Sequence, residues 1–180
     1  MEYKQLLTTN NKKLWQTSFA NELGRLTQGI RDIVGTNTCF FIPFSQVPPD
    51  RKPTYGRIVV SIRPEKNERH RTRLTVGGNL IDYPGIVSTD TADLTTAKIL
   101  FNSVISTEGV RFGGIDIKNF YLGTPMERSE YMWLPLSIIP QEIIDKYDLL
   151  KLQHNGRVYM EANKGMYGLP QAGKLANNLL

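Results

Sequence analysis

The sequence predicts an α+β fold, and three observations carry that expectation. Apolar residues recur at helical spacing in two separate stretches, Trp15–Phe19–Leu23–Leu26–Ile30 and Ala97–Leu100–Phe101–Val104. Several short runs between them are rich in β-branched and aromatic residues, among them "TCFFI", "RIVVSI" and "RTRLTV". Turn chemistry separates the two kinds of segment without any regular βαβ alternation. The 180 residues suit one domain, or one large part of a bigger one. With 40% hydrophobic and 22% charged residues the chain can build a core.

Taken in order, the first helix is expected over residues 12–30, with Asn10 or Asn11 standing where an N-cap is needed. Strands follow at "TCFFI" and "RIVVSI", joined by the proline-rich loop "PFSQVPPDRKPTYG". "RTRLTV" is a third strand, joined to "RIVVSI" as a hairpin through "RPEKNERH". "DTADLTTAKILFNSVIST" reads as a second helix, with Ser88 to Asp90 offering a cap. "GGIDIKNFYLG" reads as a strand, and "EYMWLP" as another. Pro140 suits the first turn of a short helix, "PQEIIDKYDLL". Asn155-Gly156 lies between "LKLQH" and "RVYME" and signals a hairpin turn. "KGMYGLPQAGKLANNLL" is a glycine-punctuated turn entering a helix.

Charge is unevenly spread. The chain carries a net +5, yet residues 51–73 alone hold eight Lys and Arg against Glu65 and Glu68, a local +6. Such a segment is either a solvated basic hairpin or a contact surface for phosphates. Cys39 is the single cysteine, so no internal disulfide forms. His70 and His154 are far apart in sequence and lack cysteine neighbours, which argues against a structural zinc site. No apolar run reaches the ~20 residues of a membrane span, and the N-terminus lacks a signal-peptide stretch. The expectation is an intracellular protein without membrane contact.

Asp116 is the residue that composition does not explain. In a strand, Ile115 and Ile117 face one side and Asp116 and Lys118 the other. A carboxylate on the open face meets solvent, a metal or a phosphate at little cost. On spacing alone, an ordinary surface aspartate and a functional one both remain open.

The motifs in order decide more. "IDIKNFYLGTPMERSEYMWLP", then about thirty residues later "KGMYGLPQAG", resembles the reverse transcriptase domain of copia-type retrotransposon polyproteins. "HRTRLTVGGNLIDYPG" and the Trp-containing first helix resemble that family's fingers, so the likeness runs over roughly residues 12–180. The resemblance implies an incomplete right-hand polymerase fold, an antiparallel sheet with helices: residues 1–105 mainly fingers, 106–125 a palm strand bearing Asp116, 126–165 a fingers insertion, and 166–180 the start of a palm helix. It implies RNA-directed DNA polymerase activity on an RNA or DNA template–primer with deoxynucleoside triphosphates, within a longer polyprotein.

The same resemblance implies the site. Asp116 matches a catalytic, metal-binding aspartate, and the Ile117 carbonyl assists it. Tyr121 matches the aromatic that excludes a ribose 2′-hydroxyl, and Gln171 a contact to the incoming nucleotide. Arg63, Arg71 and Arg73 fall in the hairpin that meets the triphosphate. Mg²⁺ is the implied cofactor, because two such ions stabilise the attacking and leaving oxygens of phosphoryl transfer. The sequence departs from the family in one respect: it has no Asp-Asp dipeptide and stops at Leu180, before the second carboxylate strand. The chain is therefore expected to be inactive alone, with a non-catalytic nucleic-acid-binding role as the alternative.

Overall fold

The computed structural model describes residues 2–89 and 92–180. Its backbone is built from α1 (Tyr3–Leu6), α2 (Lys12–Leu26), β1 (Cys39–Ile42), β2 (Thr54–Ile62), β3 (His70–Val76), α3 (Leu94–Ser106), α4 (Phe120–Gly123), β4 (Pro125–Pro135), α5 (Gln141–Lys146), α6 (Leu149–Leu152), β5 (Arg157–Lys164) and α7 (Ala172–Asn177). The fold is mixed α and β, with one five-stranded sheet in the order β1-β5-β4-β2-β3.

The sheet is not wholly antiparallel, which corrects the expectation. β2 lies parallel to β4 through Thr54↔Met132 and Tyr55↔Trp133 only, while the other pairings are antiparallel. The parallel contact starts at the first residue of β2 and ends at Trp133, two residues before β4 itself ends at Pro135. β2 and β3 form the expected hairpin, in register from Gly56↔Val76 to Ile62↔His70.

Helix α2 covers one face of this sheet, as its apolar spacing requires. Trp15, Phe19, Leu23 and Leu26 are buried against Leu74, Met132, Leu134, Val158 and Met160. Each such side chain contributes about 1.5–3 kcal/mol on full burial. Two polar links fix the helix on β3: the Ser18 hydroxyl accepts from Thr72 N–H at 2.9 Å, and the Glu22 carboxylate accepts from Leu74 N–H at 3.3 Å. Cys39 is fully buried, and burial pushes its thiol well above the usual range, so it is an inert core residue. No helix among the described residues is long and apolar enough to cross a membrane.

Two turn expectations are refined. Asn155 (φ 50°) and Gly156 (φ 71°) form the tight turn that Asn-Gly favours. The run before it is helix α6, however, so the hairpin shrinks to a single His154↔Arg157 bridge, and β5 pairs instead with β4 and β1. The cap of α3 is Asp93, which accepts from Thr96 N–H at 2.6 Å, rather than a residue among Ser88 to Asp90; Asp90 lies outside the described residues.

The largest correction concerns residues 106–125. Residues 111–117 form no strand, and Asp116 is exposed rather than seated in the sheet. The physical reason is the lack of a ladder partner. A strand needs a neighbour for its N–H and C=O groups, and Gly113 and Gly114 have open space where a side chain would be. The preceding helix α3 is equally uncovered, with Leu94, Ile99, Phe101 and Ile105 between 50% and 85% exposed.

Candidate functional site

The site begins where the chain returns from the exposed segment to the body. Asn119 adopts a left-handed conformation (φ 57°), which asparagine tolerates better than most residues. This turns the chain into α4. Leu122 is buried, and its carbonyl accepts from the Thr38 hydroxyl at 3.1 Å. Gly165 N–H donates to Thr124 O at 2.7 Å, and a side chain at Gly165 would lie 2.6 Å from the Tyr121 carbonyl. Tyr121 is therefore anchored to the body although the residue is 37% exposed.

A second anchor brings in the basic hairpin. Val76, the last residue of β3, donates its N–H to Tyr167 O at 2.8 Å. Gly168 (φ 93°) makes that approach possible: a Cβ there would sit 2.1 Å from the Val76 carbonyl. The Tyr167 ring then meets Tyr121 edge to face at 5.8 Å between centroids. The Arg73 guanidinium stands over the Tyr167 ring, 5.5 Å from its centroid. Ile115, Asp116, Ile117, Asn119, Phe120, Tyr121 and Tyr167 line one open cleft of about 330 Å³. Cation, two aromatic rings and a carboxylate thus share one face of the molecule.

The other expected residues are placed differently. Arg71 is held by Glu68 at 2.6 Å and Glu22 at 3.4 Å, and Arg63 by Glu68 at 3.1 Å. Both guanidinium groups are paired with carboxylates within the hairpin and at its junction with α2, whereas Arg73 is exposed beside the cleft. Glu68 is drawn two ways: partial burial raises its carboxyl, but Arg71, Arg25 and Arg63 outweigh that and hold it below the usual range. Gln171 is 1% exposed and donates its amide to Glu130 at 3.2 Å. Glu130 in turn takes Arg51 at 2.7 Å and Arg128 at 3.5 Å. Gln171 therefore belongs to a buried polar network with Glu130 and does not line the Asp116 cleft.

Sequence reasoning missed Tyr167. Its signal lay in "GMYGLP", where a tyrosine precedes a glycine that must take positive φ. Glu130, Arg51 and Arg128 were also missed, because a long-range buried network leaves no local pattern.

The cleft suits binding better than metal chemistry. Mg²⁺ takes hard oxygen ligands, and a metal pair needs several carboxylates. Asp116 offers one carboxylate and Ile117 one carbonyl, and no group of three or more His, Cys, Asp or Glu side chains gathers among the described residues. This donor set does not fit a magnesium pair. None of the family models, curated proteins or solved structures compared with the chain matches it.

Proposed function

We propose that the chain forms the fingers and part of the palm of a copia-type RNA-directed DNA polymerase, and that its own share of the work is to receive nucleic acid and nucleotide on the Arg73–Tyr167–Tyr121 face. The single observation that supports this most is the stack of Arg73, Tyr167 and Tyr121 beside Asp116. The residues come from three distant parts of the sequence, and the motif resemblance and the charge excess point to the same place independently.

The chemistry of these groups fits such a ligand. Exposed aromatic rings stack on bases or sugars irrespective of sequence, typically ~1–3 kcal/mol per base. An arginine held over a ring keeps its charge available to phosphate while losing little conformational freedom on binding. The same hairpin carries Lys66 and Arg69 as further exposed cations. Tyr121, with its backbone anchored, presents a flat wall that a 2′-hydroxyl would strike. Nucleotidyl transfer requires carboxylates beyond Asp116, so this face alone binds and orients without completing the reaction.

Binding of a fluorescent template–primer, followed by anisotropy across a salt series, tests the reading. Affinity is expected to fall steeply with salt, because phosphate contacts release counterions. Arg73→Ala is expected to weaken binding and flatten the salt dependence by about one ion. Binding that is indifferent to salt, or unchanged in Arg73→Ala, would overturn the proposal.

A further inference from the structure

A second groove lies away from the Asp116 cleft, where β2 and β4 part. It has a volume of about 640 Å³ and is lined by α1, β2 and the end of β4. The parting follows from the register. β4 accompanies β2 for two residues, Met132 and Trp133, and itself ends at Pro135. Beyond Tyr55, β2 is paired with β3 on one side only. Its other edge, Gly56 to Val60, opens into the groove. Among the described residues no strand completes that edge.

An unpaired strand edge presents alternating N–H and C=O groups to whatever enters. Five residues of strand offer a binding length of about 17 Å. The two walls differ in chemistry because side chains alternate. Ile58 and Val60 face inward and pack against the core, with Tyr3 and Ile138 beside them. Tyr55, Arg57 and Val59 face outward, near Trp133. Arg57 is exposed, and Lys4 stands at the rim; Glu2 is the one acidic lining residue. Arg157 adds a third cation, its guanidinium 4.0 Å from the Trp133 ring centroid. A separate sign of an unfilled place is the Tyr3 hydroxyl, which is buried and has no hydrogen-bond partner.

We propose that this groove is a peptide-docking site: it takes an extended segment of a partner protein as an added strand on the β2 edge, with apolar residues facing Ile58 and Val60 and alternating acidic residues facing Arg57, Lys4 and Arg157. The backbone edge supplies the hydrogen bonds, and the two walls supply the alternation. A nucleic-acid strand fits less well, because it cannot complete a β ladder and its bases gain nothing from the inward aliphatic wall. The inference is independent of the polymerase reading, since it uses none of the residues of the Asp116 cleft.

The test uses the full chain and four synthetic peptides: alternating Val and Glu, alternating Val and Lys, and the Val/Glu peptide N-methylated at alternate residues in each of the two registers. Calorimetry gives affinity, and hydrogen exchange reads the amides of Gly56–Val60. The Val/Glu peptide is expected to bind and to slow exchange at some of those amides. The Val/Lys peptide and at least one N-methylated register are expected to bind about tenfold or more weakly, roughly 1.4 kcal/mol. Arg57→Glu, an exposed change that leaves the core intact, is expected to weaken Val/Glu binding and strengthen Val/Lys binding. No binding at millimolar peptide would overturn the proposal. So would equal binding of the charge-reversed or of both N-methylated peptides. Concentration-dependent self-association that protects the same amides without peptide would assign the edge to a second copy of the chain and equally overturn it.

Discussion

Glu22 can be replaced in two ways whose costs should differ sharply. Its carboxylate is almost wholly buried between α2 and β3, where it accepts from Leu74 N–H at 3.3 Å and pairs with Arg25 at 2.6 Å and Arg71 at 3.4 Å. Desolvation raises the carboxyl above its ordinary value, and the attraction of Arg71 and Arg25 offsets this only in part. The ionised form is thus held at a net cost in the folded state. Glu22→Ala removes the acceptor, leaving the Leu74 N–H buried and unpaired at about 1–3 kcal/mol. It also deletes one buried methylene, at about 0.8 kcal/mol. The expected loss is about 2–4 kcal/mol, or roughly 10 °C in Tm for a chain of this size. Glu22→Gln keeps the amide oxygen for Leu74 and removes the charge that burial penalises, while Glu68 still holds Arg71. Its expected cost at pH 7 is about 1 kcal/mol or less.

The pH dependence has a definite sign. A carboxyl with a raised folded value binds protons more tightly when folded. Wild-type stability therefore gains from this group as pH falls through that raised value, and loses the gain as pH rises. Lowering pH from 7 toward the ordinary carboxylate range should shift the wild-type-minus-Gln difference in favour of wild type. Urea denaturation of the three proteins at several pH values measures all of this. A Gln variant as unstable as the Ala variant would refute the reasoning, because the ion pairs would then outweigh desolvation.

Gly168→Ala should cost about 2–4 kcal/mol, from a positive φ and a clash with the Val76 carbonyl, and should weaken nucleotide binding by moving Tyr167; unchanged denaturation would deny the close approach. Phe101→Asp and Ile105→Asp on α3 should change stability by less than about 0.5 kcal/mol, since both side chains stand clear of the core. A loss above about 2 kcal/mol by denaturation would show that α3 is covered. Gly156→Val should cost about 1–2 kcal/mol through its positive φ and leave template–primer affinity unchanged, since the turn lies outside the Arg73 stack; denaturation and anisotropy on the same preparations separate the two effects.

Local chemistry made much of the fold legible. The apolar spacing of α2, the β-branched runs of β1 to β3 and the Asn155-Gly156 turn each follow from forces acting within a few residues. Asp116 shows where that reasoning ends. "GGIDIKN" has the alternation of a strand, but a strand forms only beside another, and residues 111–117 have no partner here. The parallel pairing of β2 with β4 was illegible for the same reason, being set by sheet assembly across about eighty residues. Within the site, Arg71 and Arg63 look identical to Arg73 in sequence. Only the fold shows that Glu22 and Glu68 claim the first two and leave the third exposed. Gln171 likewise resembles a nucleotide contact by motif, whereas its buried amide is occupied by Glu130.

The central claim is that the Arg73–Tyr167–Tyr121 face receives a nucleotide. Photo-crosslinking with an azido-deoxynucleoside triphosphate, followed by peptide mapping, tests it most directly. The adduct is expected on Tyr121 or Tyr167, competed away by unlabelled deoxynucleotide and much reduced in Arg73→Ala. An adduct confined to other parts of the chain, or one on these tyrosines that Arg73→Ala leaves undiminished, would contradict it.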